Sequence, residues 1–141
     1  MTPATLHAEA GLSGANLHAP PDLAPKQVCA SNRPLQRVLH VINGEHYAGA
    51  ERVQDLLAAA LPQFGFEVVF AAIKPDQFPS RRKNQGARLY ETPMRGKFDL
   101  TAARAVAHVA RSEQCCLIHT HTVRSAMVGR LAARGTGLPM I

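Results

Sequence analysis

The sequence predicts a parallel α/β sheet with helices on both faces. Two observations carry this. Short apolar runs alternate with segments of helical period, interrupted only across 74–86, which is the order of right-handed strand–helix–strand crossovers. The runs themselves are nearly continuous rather than alternating, as in a sheet covered on both sides. The length of 141 residues suits one domain with a real core.

Residues 1–36 are rich in Ala, Pro and small polar residues and show no helical or strand period. They read as a disordered leader, and they lack the charged region and apolar core of a secretory signal. The folded domain is expected over 37–141. It opens with "RVLHVI", 37–42, the first strand. A turn with Gly44 and Gly49 leads into a helix whose stripe is Val53, Leu56, Leu57, Ala60 and Leu61, ended by Pro62. "FEVVFAAI", 66–73, is the second strand. A polar stretch with Pro75, Pro79 and Gly86 follows, and then "ARLYETP", 87–93, a third and shorter strand.

Asp99 is placed to cap a second helix, with Leu100, Ala103, Val106, Ala107 and Ala110 facing inward. "CCLIHT", 115–120, is the fourth strand. Thr122 caps a third helix with Val123, Ala126, Met127 and Leu131 on one face, and Gly135 and Gly137 end it. "LPMI" begins a fifth strand.

Composition narrows the function. Hydrophobic residues are 46% and charged residues 18%, with no transmembrane run. Aromatics are 5% and Trp is absent, so stacking platforms for bases, and hence nucleic acid as a partner, are not expected. Three cysteines, two of them adjacent, make no disulfide framework and fit a reducing cytoplasm. No set of four metal ligands stands out, so neither a metal nor a cofactor is expected. The net charge is +6, and 74–97 alone carries +5. Arg81, Arg82 and Lys83 are its densest part, a candidate surface for an anionic membrane or an acidic acceptor near the ligand crevice.

In an open parallel sheet, ligands bind beyond the carboxyl ends of the strands, where the strand order reverses. With the order 3-2-1-4-5, that point lies between the first and fourth strands. The turn at 43–49 ends one and His119 and His121 end the other. The turn lacks G-x-G-x-x-G. Gly44 and Gly49 have P-loop spacing, but Ala50 and Glu51 stand where Lys and Ser/Thr are needed, which disfavours ATP hydrolysis. What remains is backbone: Gly44, His46, Ala48, Gly49 and Ala50 as candidate contacts for a phosphate at a helix start, against the reading of an ordinary glycine turn. His119 and His121, two apart in a strand, point to the same face. His40, within the first strand, reads as a buried, hydrogen-bonded core residue.

"RVLHVI", the turn into "AGAERVQDLLAAAL", "FEVVFAAI" and "LIHTHTVRSAMVGRLAARGTGLPMI" together resemble the N-terminal domain of family 4 retaining glycosyltransferases. The resemblance covers roughly 37–141. It implies a GT-B architecture, of which 37–141 would be the Rossmann-like, acceptor-side domain, incomplete at its C-terminus. It implies transfer of a sugar from a nucleotide sugar to an acceptor. It places Gly49 and its neighbours near the donor diphosphate and His121 at the reaction centre, with His119 the weaker catalytic candidate. The family usually carries Gly-Gly in this loop, and here Ala48 replaces the first. The missing C-terminal domain would make the chain inactive alone. The implied location is cytoplasmic, with peripheral contact at the inner face of the membrane. Two other readings stay open at this stage: a non-catalytic Rossmann-like nucleotide- or phosphate-binding module, and a basic domain for anionic surfaces.

Overall fold

A computed structural model defines residues 34–96 and 99–141; most of the expected leader, and Lys97 of the basic stretch, lie outside the described residues. The element order is β1 (Gln36–Ile42), α1 (Gly49–Ala60), β2 (Phe66–Ala72), α2 (Gln77–Arg81), β3 (Arg88–Glu91), α3 (Leu100–Ser112), β4 (Leu117–Thr120) and α4 (Val123–Thr136). The strands form one parallel sheet in the order β3-β2-β1-β4. "LPMI" extends it on the far side of β4: Met140 bridges Ile118 in parallel, and Ile141 donates to the Ile118 carbonyl. The reversal between β1 and β4 is therefore where the continuous apolar runs and the crossover rule place it.

The core is divided by the sheet. On one face Leu39, Val41, Val69, Ala71 and Ile118 meet α3 and α4. On the other, Ile42, Val68, Phe70 and Ala72 meet α1 and Phe78 of α2. Asp99 caps α3 by accepting from the Thr101 amide. Thr122 caps α4 and exchanges bonds with Ser125 in a capping box. Gly137, at φ +76°, closes α4, and Gly135 lies inside it. At Gly129 an added Cβ would fall 2.5 Å from the Thr120 methyl. The absent side chain lets α4 lie directly on β4.

The inward faces of two helices differ from the periodicity. On α1 the buried residues are Gln54, Asp55 and Ala58, while Val53 and Leu56 are 51% and 67% exposed. On α4 they are Ser125, Val128, Gly129 and Ala132, while Val123 is exposed. The reasons differ. On α4, close approach to the sheet favours small side chains; on α1, Gln54 meets His40 and His121, and Asp55 meets Tyr47 and the 83–84 backbone. Hydrophobic period alone weighs neither. On α3 the expected stripe holds from Ala103 to Ala110, and only Leu100, in the first turn, is exposed.

Candidate functional site

β1 turns away from the sheet at Asn43 and Gly44. Gly44 has φ +83°, a conformation open to glycine, and its carbonyl accepts from the Asp76 and Phe78 amides. An added Cβ would also press on Ala72 Cβ and the Lys74 carbonyl at 3.2 Å. Gly44 thus serves the turn itself. Gly49 is the first residue of α1, and nothing lies within 4 Å of where its Cβ would be. No side chain caps this helix start; Ala48, Gly49 and Ala50 are exposed. The first intrahelical bond runs from the Arg52 amide to Ala48, which leaves the amides of Gly49, Ala50 and Glu51 available to an anion. His46 is exposed beside them.

Beneath α1, three imidazoles gather. His40 and His119 are register partners on β1 and β4, with ring centroids 4.8 Å apart. The His121 ring lies tilted against His119, with centroids 4.0 Å apart. Gln54 enters from α1: its carbonyl lies 2.5 Å from His40 Nδ1 and its amide nitrogen 3.1 Å from His121 Nδ1. Burial holds all three rings neutral. It lowers His40 to about 3, lowers His121 to about 4 with help from His119, and lowers His119 as well. Each ring offers one nitrogen within 4.8 Å of the others, a spacing that a transition metal would have to tighten.

Among the described residues, two polar atoms at this end of the sheet are buried without partners: His121 Nε2 and Asn43 Oδ1. They stand just past Val41 and Thr120, the last register pair of β1 and β4. Glu45 closes the rim through Lys74 at 3.2 Å and Arg124 at 3.8 Å.

The structure brings Gly44, Ala48, Gly49, His119 and His121 to this crevice and adds Gln54, Asn43 and His40. It does not bring Arg82 and Lys83 there, contrary to the expectation of a basic surface near the crevice. Arg82 is spent on the carbonyls of Asn84 and Ala87, and the Lys83 and Asn84 amides donate to buried Asp55. Lys83 lines a groove of about 610 Å³ with Leu35, Glu67 and Val68, at the opposite end of the strands. Arg81 is exposed at the end of α2. One of the three basic side chains, Arg82, serves to clamp the loop backbone. Gln54 was hidden because helical period reads a glutamine as outward. The available signal was His40 itself, since a histidine inside a buried strand demands a polar group from whatever covers it.

A parallel sheet with its strand order reversing between β1 and β4 is a Rossmann-like arrangement, and it matches the N-terminal domain of the GT-B fold. The fold is matched by a glycosyltransferase from Rickettsia africae ESF-5, with a TM-score of 0.63 at 16% identity over 75% of this chain. It is matched by MurG of Acinetobacter baumannii, at 0.62 and 19% over 74%. Anabaena Alr3699/HepE, solved in complex with UDP and glucose, matches at 0.56 and 14% over 74%. The chain covers 28%, 33% and 28% of those three proteins. No curated protein matches it. The model of the glycosyl transferase 4-like domain matches residues 48–141, and the chain belongs to that family.

Proposed function

We propose that this chain forms one wall of a glycosyl-transfer site, moving a sugar from a nucleotide-sugar donor to an acceptor held on the same domain. The amides of Gly49, Ala50 and Glu51 receive the donor diphosphate, whose charge suits a helix start. His121, with His119 behind it, meets a hydroxyl of the transferred sugar and steadies the ring as positive charge develops. The observation that carries this reading is the buried, unpartnered Nε2 of His121 beside an uncapped helix N-terminus. A buried donor or acceptor left without a partner costs roughly 1–3 kcal/mol, so its persistence points to a ligand. The complex of HepE with UDP and glucose supports the donor class. Free Cys115 and Cys116 fit a cytoplasmic setting. No described helix is long and apolar enough to cross a membrane. The chain spans 28–33% of the length of its structural neighbours, and the transfer proposed here is that of a protein of their length.

Gly49→Val tests this reading. Nothing lies within 4 Å of where a Cβ at Gly49 would stand, so the substitution leaves the surrounding packing intact. Its branches would instead stand where a diphosphate approaches. UDP titrated calorimetrically into the whole protein should bind at least tenfold more weakly to the variant, with little change in melting temperature. Unchanged UDP affinity in the folded variant overturns the phosphate assignment.

A further inference from the structure

Gln54 is 1% exposed and touches two histidines through two different atoms. A side-chain carbonyl only accepts a hydrogen bond, and an amide –NH₂ only donates. His40 Nδ1, facing the carbonyl, must therefore carry its ring hydrogen. His121 Nδ1, facing the –NH₂, must be bare. A neutral imidazole has one ring hydrogen, so that of His121 sits on Nε2. That is the same atom that is buried without a partner.

We infer that Gln54 is a positioning residue: its amide couples the two rings, an Nδ1–H on His40 with a bare Nδ1 on His121, so that His121 presents an Nε2–H donor to a ligand oxygen at this end of the sheet. Neither histidine could enforce this alone, because an isolated neutral imidazole exchanges its hydrogen between the two nitrogens. The ligand atom must be an acceptor, a hydroxyl or phosphate oxygen. Which of these it is rests on the transfer reading above; the tautomer does not. The same bond opposes a metal on the three imidazoles. Ligation through His121 Nε2 would move its hydrogen to Nδ1, against the Gln54 –NH₂.

Long-range ¹H–¹⁵N spectra of the imidazoles in the whole, ¹⁵N-labelled protein at pH 7.5 decide the matter. His121 should show a protonated Nε2 and a bare Nδ1, and His40 the reverse. Gln54→Glu offers two acceptor oxygens of nearly the same shape. It should drive the His121 hydrogen to Nδ1 or make the ring an imidazolium, and Gln54→Leu should leave a mixture. A His121 hydrogen on Nδ1 in the unaltered protein, or a His121 pattern unmoved in Gln54→Glu, overturns the inference. The first of these holds even if the variant fails to fold. In a transfer assay, Gln54→Glu should lower kcat about ten- to a hundredfold with little change in KM. If the spectra shift as expected and turnover does not, the tautomer lock stands and the transfer reading fails. If turnover falls while His121 stays neutral with its hydrogen on Nε2 and its Nδ1 bare, the lock is wrong.

Discussion

At the starts of the strands, Glu113 is buried and fully engaged. It accepts from the Tyr90 hydroxyl and the Arg88 guanidinium, with Arg37 at 3.6 Å. Arg37 also donates to Glu67 at 2.9 Å and to the Glu113 carbonyl at 3.1 Å. The Tyr90 hydroxyl, and then Arg88, keep the Glu113 carboxyl below its ordinary range in spite of burial. At the carboxyl ends of β1 and β4, two of three neutral imidazoles share one glutamine, and two buried polar atoms have no partner among the described residues. Around Glu113 the polar groups are spent on one another; near the start of β3, Arg82 Nε is buried without a partner among the described residues, although the same guanidinium donates to the Asn84 and Ala87 carbonyls. At the other end the unmet atoms, His121 Nε2 and Asn43 Oδ1, stand together past the last register pair of β1 and β4. That grouping is the contrast between the two ends.

The sharpest way to break this comparison is His121→Ala. Turnover in the whole protein should fall on the order of a hundredfold, about 2.7 kcal/mol of transition-state stabilisation, with a small change in melting temperature. His119→Ala, whose ring packs between His40 and His121, should act mainly on stability. If His119→Ala abolishes turnover in folded protein while His121→Ala is nearly silent, the two roles are reversed.

Acid probes the same end next. Burial lowers His40 to about 3 and His121 to about 4, from an ordinary value near 6.5. The unfolded chain therefore takes up protons that the folded chain refuses. Stability is complete above pH 6.5 and declines as pH falls from there toward about 3. His40 alone should contribute a slope of roughly 1.4 kcal/mol per pH unit inside that window. Urea unfolding at pH 7, 6 and 5 measures it; a flat profile would mean that the imidazoles are not held neutral.

Glu113→Gln should lose roughly 1–3 kcal/mol of stability, because the amide cannot satisfy Arg88 and Tyr90 together. UDP affinity, measured below the melting transition, should stay unchanged. A loss of UDP binding there would erase the distinction between the two ends. The smallest effect belongs to Arg81→Ala with Lys83→Ala. Neither side chain makes a hydrogen bond or ion pair among the described residues, so stability should move by no more than about 0.5 kcal/mol. Arg82→Ala, which frees two carbonyls, should cost more than the other two combined.

Much of this is legible in the sequence. The buried runs of β1 and β2, the caps Asp99 and Thr122, and the meeting of 43–49 with His119 and His121 follow from period, capping chemistry and the crossover rule. The inward face of α1 does not. An apolar stripe is a statement about water, whereas Gln54 and Asp55 face inward because specific partners wait there: His40 and His121 for one, Tyr47 and the 83–84 backbone for the other. Those partners lie between 8 and 67 residues away in the chain. For the same reason the basic stretch read as a surface when it is in part a clamp.

α1 also carries two devices on one rod. Its free amides begin at Gly49 and its bridging amide sits at Gln54, five residues on, about 7.5 Å along the axis of a regular helix. A helix of this kind does not stretch, so the spacing between an anion gripped at the tip and the ring held by Gln54 is fixed by the backbone. On the proposed reading the helix works as a gauge: a ligand would be measured from its phosphate to the group that meets His121, and one a few ångströms too short or too long would reach only one of the two ends.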